Sequence, residues 1–398
     1  MKKQIAIIGG GPAALLLAAF LDAEKFTITI YEKKKTAGRK FLVAGKGGFN
    51  LTHSESIDQL TKRYTPNGFL DKALLHFTNT DYIKWLDKIG IPTFIGSSKR
   101  VFPKKGIKPM EVLNAILKFL KEKGVIFKYE HTFCEWDDDN NPIINHKTIL
   151  TDYTVFSLGG ASWKITGSDG NWIDTFSKKG IKTKTFQASN CAYQIDWKPI
   201  FIQKYEGTPL KNIAISCNNV IQKGEAVITK FGLEGNAIYG LSPQIREQLD
   251  SNSKASIFID FKPSLTLENV HSKLKLSTFR NTTETLKKGL KLSAPQIDLL
   301  KHYLSKETYL NVKLLANNIK KFPLEIMSTA PIDQAISTVG GIDLNAISEN
   351  FELKNLPKQF CIGEMLDWDA PTGGYLLQAS VSTGVYLAHH LNTINKTS

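Results

Sequence analysis

Apolar and polar positions change period three times within the first 31 residues. Gln4 to Ile8 is a short apolar run, Pro12 to Asp22 is an apolar stretch of helical length, and Thr27 to Tyr31 alternates with period two. The order predicts a β-α-β unit with glycines at its first bend. Further on, Met110, Leu113, Ile116, Leu117 and Leu120 make one helical face between Pro109 and Gly124. That spacing predicts a helix over Lys108 to Gly124. Strands are expected at Val125 to Phe133, Ile143 to Leu150 and Thr154 to Leu158.

From about Asn190 to Phe261 the pattern becomes short strands between turns: Ile213 to Cys217, Ala226 to Thr229 and Ala255 to Asp260. Residues 265–321 are polar, lysine-rich and helical in period. Strand character returns through Glu325 to Ile342 and again at Phe360 to Gly363, and a helix over Leu376 to Leu391 follows. The expected organisation is a dinucleotide domain split by an insertion: 1–189 and 341–398 for the split domain, 190–264 for an inserted β domain, 265–322 for a helical subdomain, and 323–340 for a strand returning to the β domain.

Composition narrows the function classes. The 398 residues carry a formal net charge of +14, from 51 Lys+Arg against 37 Asp+Glu. Only Arg39, Arg63, Arg100, Arg246 and Arg280 are arginines, and the lysines are spread along the chain. Nucleic-acid readers favour arginine forks and clustered stripes, so the charge reads as a solvated surface and a nucleic-acid partner is not expected. Cys134, Cys191, Cys217 and Cys361 form no CxxC pair, which fits reduced thiols and a cytoplasmic protein. Lys2 and Lys3 before an apolar stretch imitate a signal peptide, but Gly9-Gly10-Gly11-Pro12 interrupts it. Ala13 to Leu21 is too short to span a bilayer, so no membrane partner is expected.

The chemistry starts at Gly9-Gly10-Gly11-Pro12-Ala13-Ala14, a GxGxxA turn after a strand and opening a helix. Gly9 allows the bend, Gly11 lets a pyrophosphate approach, and Ala14 permits close helix–strand packing. Glu32 ends the second strand where an acid holds an unphosphorylated ribose, followed by Lys33. The bland alternative is a glycine turn that only packs. FAD and NAD both remain open on these residues alone. Gly38-Arg39-Lys40 and Gly45-Lys46-Gly47-Gly48-Phe49-Asn50-Leu51-Thr52 then supply positive charge and a backbone-lined anion surface.

These segments resemble one family. GGGPAA, Glu32, GRKFLVAGKGGFNLT, Ser157-Leu158-Gly159-Gly160-Ala161-Ser162 and GEMLDWDAPTGGYLLQAS are similar, in that order, to bacterial YhiN-like or aminoacetone-oxidase-like FAD-binding flavoproteins. The resemblance implies an α/β fold, with a glutathione-reductase-like FAD-binding (Rossmann-type) domain and an inserted β-barrel-like domain carrying a helical subdomain. It implies FAD held by Gly9, Gly11, Pro12, Ala13, Ala14, Glu32, Lys33, Gly38, Arg39, Lys40, Gly47, Gly48, Asn50 and Thr52. Gly159, Gly160, Gly363, Glu364, Gly373, Gly374 and Tyr375 complete that set. The N–H groups at Gly373 to Tyr375 would face the flavin ring and favour its reduced, anionic form. Phe49 departs from relatives that carry Cys there, and with it goes any dithiol relay.

The implied activity is an FAD-dependent oxidoreductase moving a hydride between flavin and a small organic substrate, with NAD(P)H as electron partner. An RNA-acting flavoprotein and a non-catalytic flavin-bound sensor are the alternatives. His53, Tyr375 and Lys46 are candidates for proton transfer or substrate binding, each with a plain packing or loop alternative. Asp137, Asp139 and Asn141 begin like a calcium loop, but Pro142 and Thr148 occupy its key positions, and the histidines lack ligand spacing. No metal is expected.

Overall fold

The structure is a computed structural model that describes residues 1–43 and 49–394. The chain divides into two units, one of Met1–Ala188 with Ile332–Ser398 and one of Ser189–Pro331.

The first unit is organised by a five-stranded parallel sheet. β1 (Lys3–Ile8) lies at its centre, with β2 (Phe26–Glu32) and then Ile126–Tyr129 on one side. Tyr153–Phe156 and then Gln359–Cys361 lie on the other. Central parallel strands are covered on both faces, so they read as unbroken apolar runs; Ile5, Ile7, Ile8, Val155 and Phe156 are all essentially inaccessible. α1 (Pro12–Phe20) follows β1 and packs beside the last helix, Tyr375–Ile394. A second, three-stranded antiparallel sheet joins β3 (Thr52–His53), β4 (Thr93–Ile95) and β5 (Arg100–Pro103), in the order β3-β5-β4.

The expected helix at 108–124 forms over Pro109–Glu122. Two expected strands are corrected. Ile143 to Leu150 is a hairpin, Pro142–Ile144 and Lys147–Thr148, because Asn145 and His146 both adopt positive φ (47° and 62°) and turn the chain back. Glu325 to Ile342 is two strands: Phe322–Ile326 belongs to the second unit, while Ser337–Ile342 pairs with Thr183–Ser189. Residues 332–340 therefore group with the first unit.

The second unit is built on a six-stranded antiparallel sheet. Its terminal strands meet: Gln194 N–H donates to Ser328 O (2.9 Å), Met327 N–H donates to Gln194 O (3.0 Å), and Tyr193 bridges Thr329. The sheet thereby closes on itself as a small barrel, which removes its open edges. Helices Leu267–Lys275, Ala294–Tyr303, Lys306–Leu310 and Val312–Lys320 are inserted between two neighbouring barrel strands, Ala255–Asp260 and Phe322–Ile326. Among the described residues no helix is long and apolar enough to cross a membrane, and all four cysteines are free.

Candidate functional site

A cavity of about 470 Å³ opens at the carboxyl ends of β1 and β2 in the first unit. Open α/β sheets bind ligands at this edge. Gly9 makes its floor at φ 101°, with its N–H bonded to Tyr31 O (2.8 Å). A side chain there would run into the Ser157 carbonyl group. At Gly11, by contrast, an added methyl would have nothing within 4 Å, so the start of α1 faces open space. Its first-turn N–H groups have no side-chain cap, the arrangement that receives an anion.

Glu32 lines the same cavity. Its Oε2 accepts from Gly10 N–H and its Oε1 from Lys34 N–H, both at 2.8 Å. A carboxylate has about four acceptor positions, so two backbone bonds fix it and leave capacity for a ribose diol. Burial pushes its pKa up, opposed by those backbone bonds and by Lys33 and Lys34.

Pro12, Ala13, Lys33, Gly38, Arg39, Lys40, Gly159, Gly363 and Glu364 also line the cavity, and Ala14 is buried behind it. Lys33 pairs with Asp169 (2.9 Å). Lys40 bridges Glu364 (2.8 Å) and donates to Ser162 Oγ (2.9 Å). Gly160 stands just outside, where a side chain would meet Thr338 and Glu364. Arg39 Nε is buried with no partner among the described residues. An open phosphate turn, a diol acceptor and a buried guanidinium N–H without a partner among the described residues fit an adenine dinucleotide, so the residues present suit FAD. Ser157, Ser168 and Trp172 line the cavity too; Ser157 opens the Ser157–Ser162 segment, while no local motif marks Ser168 or Trp172 in the sequence.

Asn50, Thr52, His53, Gly373, Gly374 and Tyr375 do not line this cavity. Thr52, His53, Gly373, Gly374 and Tyr375 gather around β3. Thr52 is buried and donates from Oγ1 to Gln378 Oε1 (2.6 Å). Gly374 rides directly on it: a side chain at Gly374 would lie 2.6 Å from the Thr52 Cα. His53 stacks on Tyr375 with centroids 5.0 Å apart. Tyr375 Oη donates to Glu55 Oε1 (2.7 Å), and Arg63 grips the same carboxylate with two bonds of 3.1 and 2.9 Å. Lys46, Gly47 and Gly48 lie outside the described residues. Phe49 is buried edge-on against Phe41 (4.8 Å).

His53 is less available for proton transfer than its position suggests. Burial pushes its pKa down, opposed by Glu55 and by the Ser98 backbone that accepts from the ring. Its Nδ1 accepts from Glu55 N–H (3.2 Å), so both sides of the ring are engaged. The Tyr375 pKa is raised by burial and by its bond to Glu55. Burial alone would raise Glu55, but Arg63 and Tyr375 outweigh it and hold the carboxyl below its ordinary value of 4.5. A depressed folded pKa stabilises above the unfolded value and loses that contribution as pH falls through the folded one. Glu55→Gln should therefore flatten the acid side of the melting-temperature profile below pH 4.5; an unchanged profile would contradict this linkage.

Glu55, Arg63 and Arg100 stand in no motif, and reasoning from the sequence missed them. Their signal is arginine itself: in a lysine-rich chain, three of the five arginines, Arg39, Arg63 and Arg100, stand at these two clusters. Arg100 pairs in register with His53 across β3 and β5, and its Nε is 3.4 Å from a methyl built on Gly373. No described acid forms an ion pair with it.

Known proteins resemble this chain at three levels: family, relatives and fold. The family profile described as "HI0933-like protein Rossmann domain" matches residues 3–390. The chain is 22% identical to the 3-dehydro-bile acid delta(4,6)-reductase of Clostridium scindens, covering 97% of this chain and 98% of that one. It is 24% identical to the ribosomal RNA dihydrouridine synthase of Haemophilus influenzae (94% of each chain) and 22% identical to that of Escherichia coli (97% of each). Among solved structures, Escherichia coli quinol fumarate reductase matches with a TM-score of 0.50 at 13% identity, over 100% of this chain and 71% of that one. At that identity the likeness concerns the fold.

Proposed function

The chain belongs to the HI0933-like Rossmann family of FAD-binding oxidoreductases, and from that premise we propose that it saturates a carbon–carbon double bond conjugated to a carbonyl group, with a nicotinamide nucleotide as electron donor. The observation that carries the cofactor is the open Gly11 turn beside the Glu32 carboxylate. The reaction class rests on the relatives: a bile-acid delta(4,6)-reductase and two dihydrouridine synthases have in common the reduction of such a double bond.

FAD, when bound, supplies the hydride chemistry. Around it the chain's own residues divide the work. Gly9 to Ala14 and Arg39 hold the pyrophosphate, Glu32 the adenosine ribose, and the Lys40–Glu364 pair the region between adenosine and ring. Glu55 and Arg63 fix the Tyr375 hydroxyl with its proton on Oη directed at the carboxylate. His53 serves as the platform under that ring. Arg100 has no acid partner among the described residues and stands beside His53 and Gly373, and we assign it the substrate carbonyl oxygen, where negative charge develops as a hydride adds to a conjugated double bond.

A small enone is the first substrate to test. A second reading, a uracil base in RNA, is favoured by the two rRNA-modifying relatives together with the net charge of +14. The test is an anaerobic visible spectrum: flavin bands that bleach with NADH or NADPH and return on adding an enone support the proposal. A protein that cannot be reconstituted with FAD, or a reduced flavin that neither enone nor uridine-containing RNA reoxidises, defeats it.

A further inference from the structure

The residues between Asp87 and Glu111 include no acid, yet they hold Lys88, Lys99, Arg100, Lys104, Lys105 and Lys108. This stretch contains the β4–β5 hairpin, which shares its sheet with β3 and hence with His53; Lys88 ends the helix before it and Lys108 caps the helix after it. The basic charge spread thinly over the sequence is concentrated here. Lys99, Lys104 and Lys105 are exposed, and none of the hairpin's cations forms an ion pair among the described residues.

Aromatic surface accompanies that charge. Phe94 and Phe102 are cross-strand partners whose rings stack at 5.6 Å and 27°. Phe94 remains 45% exposed and neighbouring Ile95 59%. Cross-strand partners share a face, as do alternate residues along a strand. Arg100 and Phe102 therefore lie on the face that also carries Phe94 and His53, and alternation continues it to Lys104. One strip of surface runs from a lysine-flanked aromatic stack, past Arg100, to the His53–Tyr375 pair.

We infer that this strip is a track for single-stranded RNA, which delivers a base to the Arg100–His53–Tyr375 cluster. Single strands are held by stacking bases on aromatic side chains while lysines and arginines follow the phosphates. An isolated charged patch would lack the stack, and a greasy patch would lack the cations; the hairpin has both, in line with the site. The inference rests on the RNA reading above and names the surface that serves it.

The test uses the flavin-loaded full chain and a labelled oligouridylate of about ten nucleotides, within the span such proteins cover. Two variants are compared with the parent, K99Q/K104Q/K105Q and F94A, all at exposed positions outside the cofactor cavity. Each lost phosphate contact reduces the salt dependence of single-strand binding by about 0.7 in log–log slope, so the triple variant should lower the slope by about 2. F94A should weaken binding about tenfold at fixed salt. Both should keep the parent's flavin absorbance and its bleaching by nicotinamide nucleotide. Unchanged oligouridylate affinity and salt slope in both variants overturns the inference. So does a result in which the variants leave RNA binding intact but abolish binding to vesicles of phosphatidylglycerol and phosphatidylcholine in equal parts, which would make the hairpin a membrane contact. A parent with no flavin, or with flavin that no nicotinamide reduces, fails the parent reading separately from the binding result.

Discussion

Alanine at Gly9 should give a protein that purifies without flavin colour, while alanine at Gly11 should give one that still folds and keeps part of it. Gly9 sits at φ 101°, and its added methyl would stand 2.8 Å from the Ser157 carbonyl carbon and closer still to the oxygen. Neither side can yield easily. Ser157 N–H is bonded to Ile8 O, Gly9 N–H to Tyr31 O, and the strand Tyr153–Phe156 is paired on both edges. A strained backbone costs about 1–3 kcal/mol and overpacking about as much again. At about 1.4 kcal/mol per factor of ten, even the lower end weakens the turn's hold on the cofactor about thirtyfold. Gly11 has an ordinary φ and open space, so alanine there crowds the pyrophosphate alone. The ratio of flavin to protein absorbance after purification reads the difference, with melting curves of the flavin-free proteins as the control. A Gly9→Ala protein with full flavin content would remove the turn from the cofactor site.

Arg100→Gln should leave flavin content intact and lower kcat/KM for a conjugated carbonyl substrate roughly 10²–10³-fold, the usual loss when one donor to a developing oxyanion is removed. The expected loss is electrostatic in origin. Arg63 is already neutralised by Glu55 through two short bonds, whereas no described acid pairs with Arg100 beside Gly373 and His53. A cation kept half-buried without an acid is costly unless something anionic visits it. Arg100→Lys should recover part of the rate, because it keeps the charge and loses the fork. The separation of kcat from KM under nicotinamide-limited and substrate-limited conditions places the defect. Equal kcat/KM in Arg100→Gln and the parent would take this residue out of the reaction.

The β1–turn–α1–β2 opening was legible because its information is local. An apolar run, a glycine bend and an apolar helix stand within the first 32 residues, and Glu32 closes them. The Tyr375 cluster was half legible. Its tyrosine lies in a motif and its histidine directly follows one, but Glu55, Arg63 and Arg100 meet through a two-residue strand and a hairpin distant in sequence, and no periodicity records that pairing. Apolar runs also misled. Ile143, Ile144, Ile149 and Leu150 read as one strand, although Asn145 and His146 reverse it. The apolar character of 325–342 conceals a passage from one folding unit to the other. Total charge conceals distribution: the chain average does not show that the six cations between Asp87 and Glu111 stand without an acid, and the strand pairing adds that Arg100 shares a face with Phe94 and His53.

The order of the strands in the parallel sheet has a consequence for how the protein is made. The strand beside Tyr153–Phe156 is Gln359–Cys361, and the cavity wall needs Gly363 and Glu364 just after it. A nascent chain therefore leaves its first sheet one strand short while the whole of Ser189–Pro331 is still being translated. During that interval the edge of Tyr153–Phe156 is an exposed apolar template for wrong partners. The barrel, which seals its own edges, can mature in the meantime without competing for that vacancy. Closure of the cavity wall therefore waits for residues 359–364, which enter the sheet only after the whole of Ser189–Pro331 has been made.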